Sequence, residues 1–237
     1  MKHNMRPNYT ILLYVILLSL GTGLVAQSSV SQDIHIPKGT DSDKSISTVS
    51  GNVTVGASAK LESSISTVSG DVEIGAKSEV GEVGTVSGNI SLGKGAETRD
   101  LETVSGDVRL YARGEVLGSI ESVSGDVSCN SGCEIERNIS TVSGDVELDD
   151  TRLRGNLETV SGDISLFNGA VIEGDIIINR KKSLFHRDLG RLKVIIDMNS
   201  VVKGDIRVKE EDTNVIVYLT NGGKVKGEII NAEIRKH

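Results

Sequence analysis

The chain has 237 residues and a formal net charge of −7, with 3% aromatic residues, 27 glycines and 2 prolines. Large rings supply much of the buried area of an ordinary globular core, so this composition argues for a core of Val, Ile and Leu. The acidic balance excludes polyanion binding driven by net charge. Two cysteines exclude a disulfide scaffold, and a four-ligand zinc site without help from histidine.

Residues 1–26 read as an export signal. Lys2 and Arg6 form a basic start, followed by an apolar run from Ile11 to Leu20 and then Gly21-Thr22-Gly23-Leu24-Val25-Ala26. The run is shorter than the roughly 20 residues of a membrane span and ends in small residues, as a cleavage site does. Leu24 is a poor residue at its place before the cut, which leaves an uncleaved N-terminal anchor as the alternative. Residues 27–44 are expected to form an N-terminal cap.

A repeat dominates the next stretch. Thr48-Val49-Ser50-Gly51 returns at Thr67, Thr85, Thr103, Ser122, Thr141 and Thr159, always 18 or 19 residues on. The glycine is followed by Asn52, Asp71, Asn89, Asp107, Asp126, Asp145 or Asp163, and then by Val or Ile. Helical repeats of about 33 residues and propeller blades of about 40 are too long for this period.

A finer beat of six runs through Val68, Ile74, Val80, Val86, Leu92, Thr98, Val104, Leu110 and Val116. Three apolar anchors per coil describe three short sides, and Val72, Ile90, Val108, Val127, Val146 and Ile164 add the alternation of a strand. The reading is an all-β, three-sided parallel β-helix (a β-solenoid) of 18–19 residues per coil over residues 45–178. Coils stack about 4.8 Å apart, with one residue of slack at a corner. Two inward columns are expected: Val49, Val68, Val86, Val104, Val123, Val142 and Val160; and Val55, Ile74, Leu92, Leu110, Cys129, Leu148 and Leu166. A basic insertion loop, 179–193, and irregular C-terminal coils with a cap, 194–237, complete the chain. There the unit is echoed by Ile172-Glu173-Gly174-Asp175-Ile176, Val202-Lys203-Gly204-Asp205-Ile206 and Val225-Lys226-Gly227-Glu228-Ile229.

These Gly-Asp units resemble bactofilin-type polymer-forming proteins, and the Thr-Val-Ser-Gly-Asp-Val copies resemble adhesin-like repeats of bacterial envelope proteins. The resemblance covers about residues 45–230 and implies a β-helix, right-handed on the bactofilin-like units, with self-assembly and no catalytic residue. Val55-Gly56-Ala57-Ser58-Ala59-Lys60 and Leu92-Gly93-Lys94-Gly95-Ala96-Glu97 are also similar to left-handed hexapeptide-repeat acyltransferases. Those enzymes rely on histidine, whereas His35, His186 and His237 all lie outside the seven regular coils.

Four features offer chemistry. Stacked carboxylates at Asp107, Asp126, Asp145 and Asp163 are candidates for Ca²⁺, or else side chains that cap a turn. Thr48, Thr67, Thr85, Thr103, Ser122, Thr141 and Thr159, with Ser50, Ser69, Ser87, Ser105, Ser124, Ser143 and Ser161, offer a flat hydroxyl array for a glycan or another ordered surface. The plainer reading is a β-branched strand face. Cys129 and Cys133 are either core thiols or a disulfide formed after export. Arg180, Lys181, Lys182, Arg187, Arg191 and Lys193 form a loop suited to an anionic polymer or a membrane surface, or simply solvated.

The expected protein is a non-enzymatic, exported structural or interaction protein of the bacterial cell envelope. It uses no cofactor, associates with itself, and does not bind nucleic acid. A ligand-binding solenoid is the second reading and an acyltransferase-like enzyme the third.

Overall fold

The structure is a computed structural model that describes residues 25–180, 190–211 and 214–236, and every regular element in it is a strand. One coil shows the plan. Ile65–Thr67 lies in a first sheet, Val72–Ile74 in a second and Glu79–Val80 in a third, and Val83–Thr85 returns to the first. Repetition stacks eleven, eleven and ten strands in the three sheets among the described residues, all paired in parallel. This is the three-sided parallel β-solenoid that the period predicts. Val25–Ser29, Ile34–Ile36 and Asp41–Ser42 already give one strand to each sheet, so the segment expected to cap the N-terminal end is itself built as a coil.

The second sheet follows the expected columns. Val55, Ile74, Leu92, Leu110, Cys129, Leu148 and Leu166 are buried and stand in register from coil to coil. The third sheet buries Leu61, Val80, Thr98, Val116, Ile135, Leu153 and Ile172. Two residues before each of these lies a small one, among them Ala59, Ser78, Ala96, Cys133, Thr151 and Ala170, all buried. Small side chains there bring the second and third sheets together in a tight wedge. Not one buried side chain among the described residues is aromatic, and burying each Val, Leu or Ile contributes about 1.5–3 kcal/mol.

The first sheet corrects the expected phase. Its inward residues are Ile65 and Thr67, Val83 and Thr85, Leu101 and Thr103, Ile120 and Ser122, Ile139 and Thr141, Leu157 and Thr159, all buried. The valine after each Thr or Ser turns outward: Val49 is 42% exposed, and Val68, Val86, Val104, Val123, Val142 and Val160 are half-buried. The beat of six fails here because the strand ends on the hydroxyl residue and the valine already belongs to the corner.

The alternation between 18 and 19 residues is mostly taken up at the corner after the third sheet. Gly81-Glu82 and Arg99-Asp100 turn the chain from the third sheet to the first with two residues, while Leu117-Gly118-Ser119 and Glu136-Arg137-Asn138 use three. The strands on either side keep their register. The 18-residue coil from Thr141 to Thr159 instead keeps three residues there, Arg154-Gly155-Asn156, and is shorter between the second and third sheets, where Arg152 follows Val146 by six residues rather than seven.

Beyond Phe167 the sheets continue. Ile164–Phe167 pairs with Leu192–Ile196, which pairs with Val215–Leu219 and then Glu233–Lys236. The later Gly-Asp units occupy a different corner from the earlier ones. Gly162-Asp163 leads into the second sheet, whereas Gly174-Asp175, Gly204-Asp205 and Gly227-Glu228 lead into the first, as Gly155-Asn156 does.

Candidate functional surface

The corner between the first and second sheets carries the repeat, and its four residues have separable tasks. The Oγ1 of Thr67 accepts the backbone N–H of Gly70 at 3.1 Å, and Thr48, Thr85, Thr103 and Ser122 do the same for Gly51, Gly88, Gly106 and Gly125 at 3.0–3.1 Å. A hydroxyl satisfied in this way is buried at little cost, and the β-branched methyl of Thr fills the core. The threonines are therefore core residues rather than part of a hydroxyl array on the surface. The serine column, Ser50 to Ser161, is exposed and stands beside the outward valines, so the repeated surface is one of Val and Ser.

The glycine is fixed by close approach. A Cβ on Gly88 would lie 1.9 Å from the carbonyl oxygen of Gly70, and one on Gly106 would lie 1.8 Å from that of Gly88. Glycine thus stacks on glycine up the corner.

The Asp/Asn column ties each coil to the next. The backbone N–H of Asp126 donates to Asp107 Oδ1 at 3.0 Å, that of Asp145 to Asp126 Oδ1 at 2.8 Å and that of Asp163 to Asp145 Oδ1 at 2.7 Å. Asp163 Oδ1 in turn accepts from Lys193, 30 residues on, at 2.8 Å. Each Ca²⁺ candidate therefore spends one carboxylate oxygen on its neighbour. Asparagine can do the same with its amide oxygen, which accounts for Asn52 and Asn89 within the column. A parallel ladder serves the corner between the third and first sheets, where Asp175 N–H meets Asn156 Oδ1 and Asp205 N–H meets Asp175 Oδ1.

In-register stacking also creates an acidic strip that the repeat did not reveal. Glu102 and Glu121 are paired residues on the outer face of the first sheet. Burial pushes the Glu102 carboxyl up to about 7, helped by the nearby charges of Glu82, Glu121 and Asp100; Glu121 is raised by burial and by Asp100. On the third sheet Glu79, Glu97, Glu115 and Glu134 stack in line. Burial and the flanking Glu97 and Glu134 raise the Glu115 carboxyl. Lys60 and Arg152 continue the column below and above, 3.8 Å from Glu79 in the case of Lys60. A sequence separation of 18 or 19 residues was the available signal, because in this fold it means adjacency.

The cysteines lie on two different inward columns. Cys129 belongs to the second sheet and Cys133 to the small-residue wedge; both are free and buried, and the Cys133 Sγ donates to the Tyr111 carbonyl at 3.3 Å. Burial raises both thiols, Cys129 well above its ordinary range. Of the basic loop, Lys181, Lys182 and Arg187 lie outside the described residues. Arg180 is buried and donates to the Gly190 carbonyl at 3.0 Å, so it faces inward rather than toward an anion in solvent. Arg191 is exposed, and Lys193 lies 3.9 Å from Asp163 Oδ2. His35 is exposed on the outer side of Ile34–Ile36, and His186 and His237 are outside the described residues.

The repeated hydroxyls thus close turns within a coil and the Asp/Asn column bonds coil to coil, and the outer ladders are available for contact. A family model described as Toastrack DUF4097 matches residues 16–173 and 82–214, two overlapping placements as a repeat would give. No curated protein and no solved structure matches the chain.

Proposed function

The chain belongs to the Toastrack DUF4097 family, and from that membership and its architecture we propose a non-enzymatic structural or interaction protein, exported to the bacterial cell envelope. The observation that carries this reading is the continuous stacking of the three parallel sheets. Eleven rungs at about 4.8 Å give a stiff column about 50 Å long, held by side chains that repeat for structural reasons. Such a column acts as a spacer or a display surface. The basic start, apolar run and small residues of 1–26 support export.

Self-association, as in the bactofilin-like and adhesin-like proteins that the repeat resembles, is part of the proposal. The outermost described strands, Ile229–Ile230 and Glu233–Lys236, each have one unpaired edge, the kind of edge on which another chain can pair. Two experiments test the reading. Cell fractionation with N-terminal sequencing is expected to find the chain in the envelope, cut after Ala26; a chain confined to the cytosol overturns export. Electron microscopy over a range of concentrations is expected to show end-to-end or lateral assemblies, and strictly monomeric particles remove the assembly part.

A further inference from the structure

The outer face of the second sheet carries one feature that the repeat does not explain. In three successive coils the residue after the inward Val55, Ile74 and Leu92 is Gly56, Gly75 and Gly93, each bonded through its backbone to the coil before. In the next coil the same place is taken by Tyr111, whose N–H donates to the Leu92 carbonyl at 2.9 Å. Tyr111 is 43% exposed, in a protein whose core contains no aromatic side chain among the described residues. The exposed Tyr111 side chain borders the outward residues of the second-sheet strands, where it forms the wall of a shelf.

The shelf is an open groove of about 360 Å³ with Glu73, Ser91 and Arg109 across its floor and Asp71 and Asp107 along the far edge. Glu73, Ser91 and Arg109 are paired outward residues of consecutive strands. Arg109 makes no ion pair among the described residues, unlike Arg152, Arg154 and Arg207 on the same molecule. Three acids against one cation disfavour an anionic ligand. What fits is a neutral molecule with one apolar face and many hydroxyls. A pyranose ring meets that description: its C–H face lies on the aromatic ring, its hydroxyls donate to the carboxylates, and its oxygens accept from the guanidinium.

We propose that this groove binds a neutral oligosaccharide, with Tyr111 as the stacking platform and Arg109, Glu73 and Asp107 as its polar contacts. The inference rests on the interaction role proposed above and gives it a ligand class. The test is an amide chemical-shift titration of the full-length chain with cellohexaose, maltohexaose and chitohexaose, and with an oligogalacturonate as the anionic comparison.

At least one neutral hexasaccharide is expected to shift amides around 73, 91 and 109–111 with a Kd of about 1 mM. Tyr111→Ala and Arg109→Ala are each expected to weaken it about tenfold or more, and Tyr218→Ala to leave it unchanged, with circular dichroism confirming that each variant is folded. No shift with any of the three neutral sugars at about 10 mM overturns the proposal. Binding that survives Tyr111→Ala, or binding of the oligogalacturonate alone, overturns it equally. Each of these results leaves the envelope and assembly reading standing, since that depends on fractionation and imaging.

Discussion

The hydroxyl of Thr103 faces the core and accepts the backbone N–H of Gly106 at 3.1 Å, so a polar atom inside the solenoid closes the turn at its rim. Threonine is suited to both tasks, since its methyl packs and its oxygen bonds. Replacing Thr103 by Val keeps the shape and leaves the Gly106 N–H without an acceptor, a loss of about 1–3 kcal/mol. Thr103→Ser keeps the bond and gives up one methyl, a loss of about 1 kcal/mol. Urea unfolding should rank the valine variant as the less stable; the reverse order would mean that packing rather than the bond selects threonine.

Two glycines of adjacent coils should respond in opposite ways. A Cβ at Gly106 would stand 1.8 Å from the Gly88 oxygen, and since both partners are backbone the coils must separate. Gly106→Ala is expected to lower stability by about 3 kcal/mol or more. At Gly84, on the outer face of the first sheet, a Cβ meets nothing within 4 Å. Gly84→Ala should be neutral or stabilising by about 0.5–1 kcal/mol, through the unfolded chain. Thermal melts of the two variants check the contrast.

The Glu102 carboxyl gives the fold a pH dependence of defined sign. Its value of about 7 in the folded protein lies above the ordinary 4.5. Between those values the folded chain holds a proton that the unfolded chain has released. Stability is therefore highest below about pH 4.5 for this group and is lost as pH rises through about 7. Glu115 and Glu121, raised for similar reasons, act in the same direction. With solvent screening of this partly exposed site, Glu102→Gln should gain about 1–2 kcal/mol at pH 8 and almost nothing at pH 4. Chemical denaturation at the two pH values measures the difference.

Cys129 and Cys133 are buried on separate columns with raised thiols, so little thiolate is available in the folded state. A thiol reagent at neutral pH should label neither at an appreciable rate until guanidinium is added, and then both. Labelling that stays absent in denaturant without reductant would show a disulfide instead.

Much of the fold is legible because a solenoid translates sequence period directly into space. The spacing of 18 or 19 defines the coil, and Val72 with Ile74 defines a strand with two inward residues. The phase of the first sheet is hidden from the beat of six, which treats Val68 as an anchor and leaves the neighbouring threonine to the surface. Ile65, two residues before Thr67, carries the correct phase, as do Val83, Leu101 and Leu157 in their coils. The surface is less legible, because its chemistry depends on which outward residues become neighbours. Glu102 and Glu121 are ordinary acids until the register places them side by side, and Tyr111 is an isolated aromatic until Glu73, Ser91 and Arg109 are stacked beside it. The Thr and the tight corner also disappear together: where Ile178 and Val208 hold the Thr position, the next strand of the second sheet starts only at Leu192 and Val215.

The two-or-three-residue corner after the third sheet has a consequence for how such a molecule changes over generations. A single codon gained or lost there leaves every other side chain facing as before, while the same event within a strand turns its faces inside out. A duplicated repeat unit inserts one more rung whose Thr, Gly and Asp already match those above and below. Near-identical copies also invite slippage during replication. The height of the column can thus be inherited in steps of one rung, adjusting the distance it spans without redesigning its core.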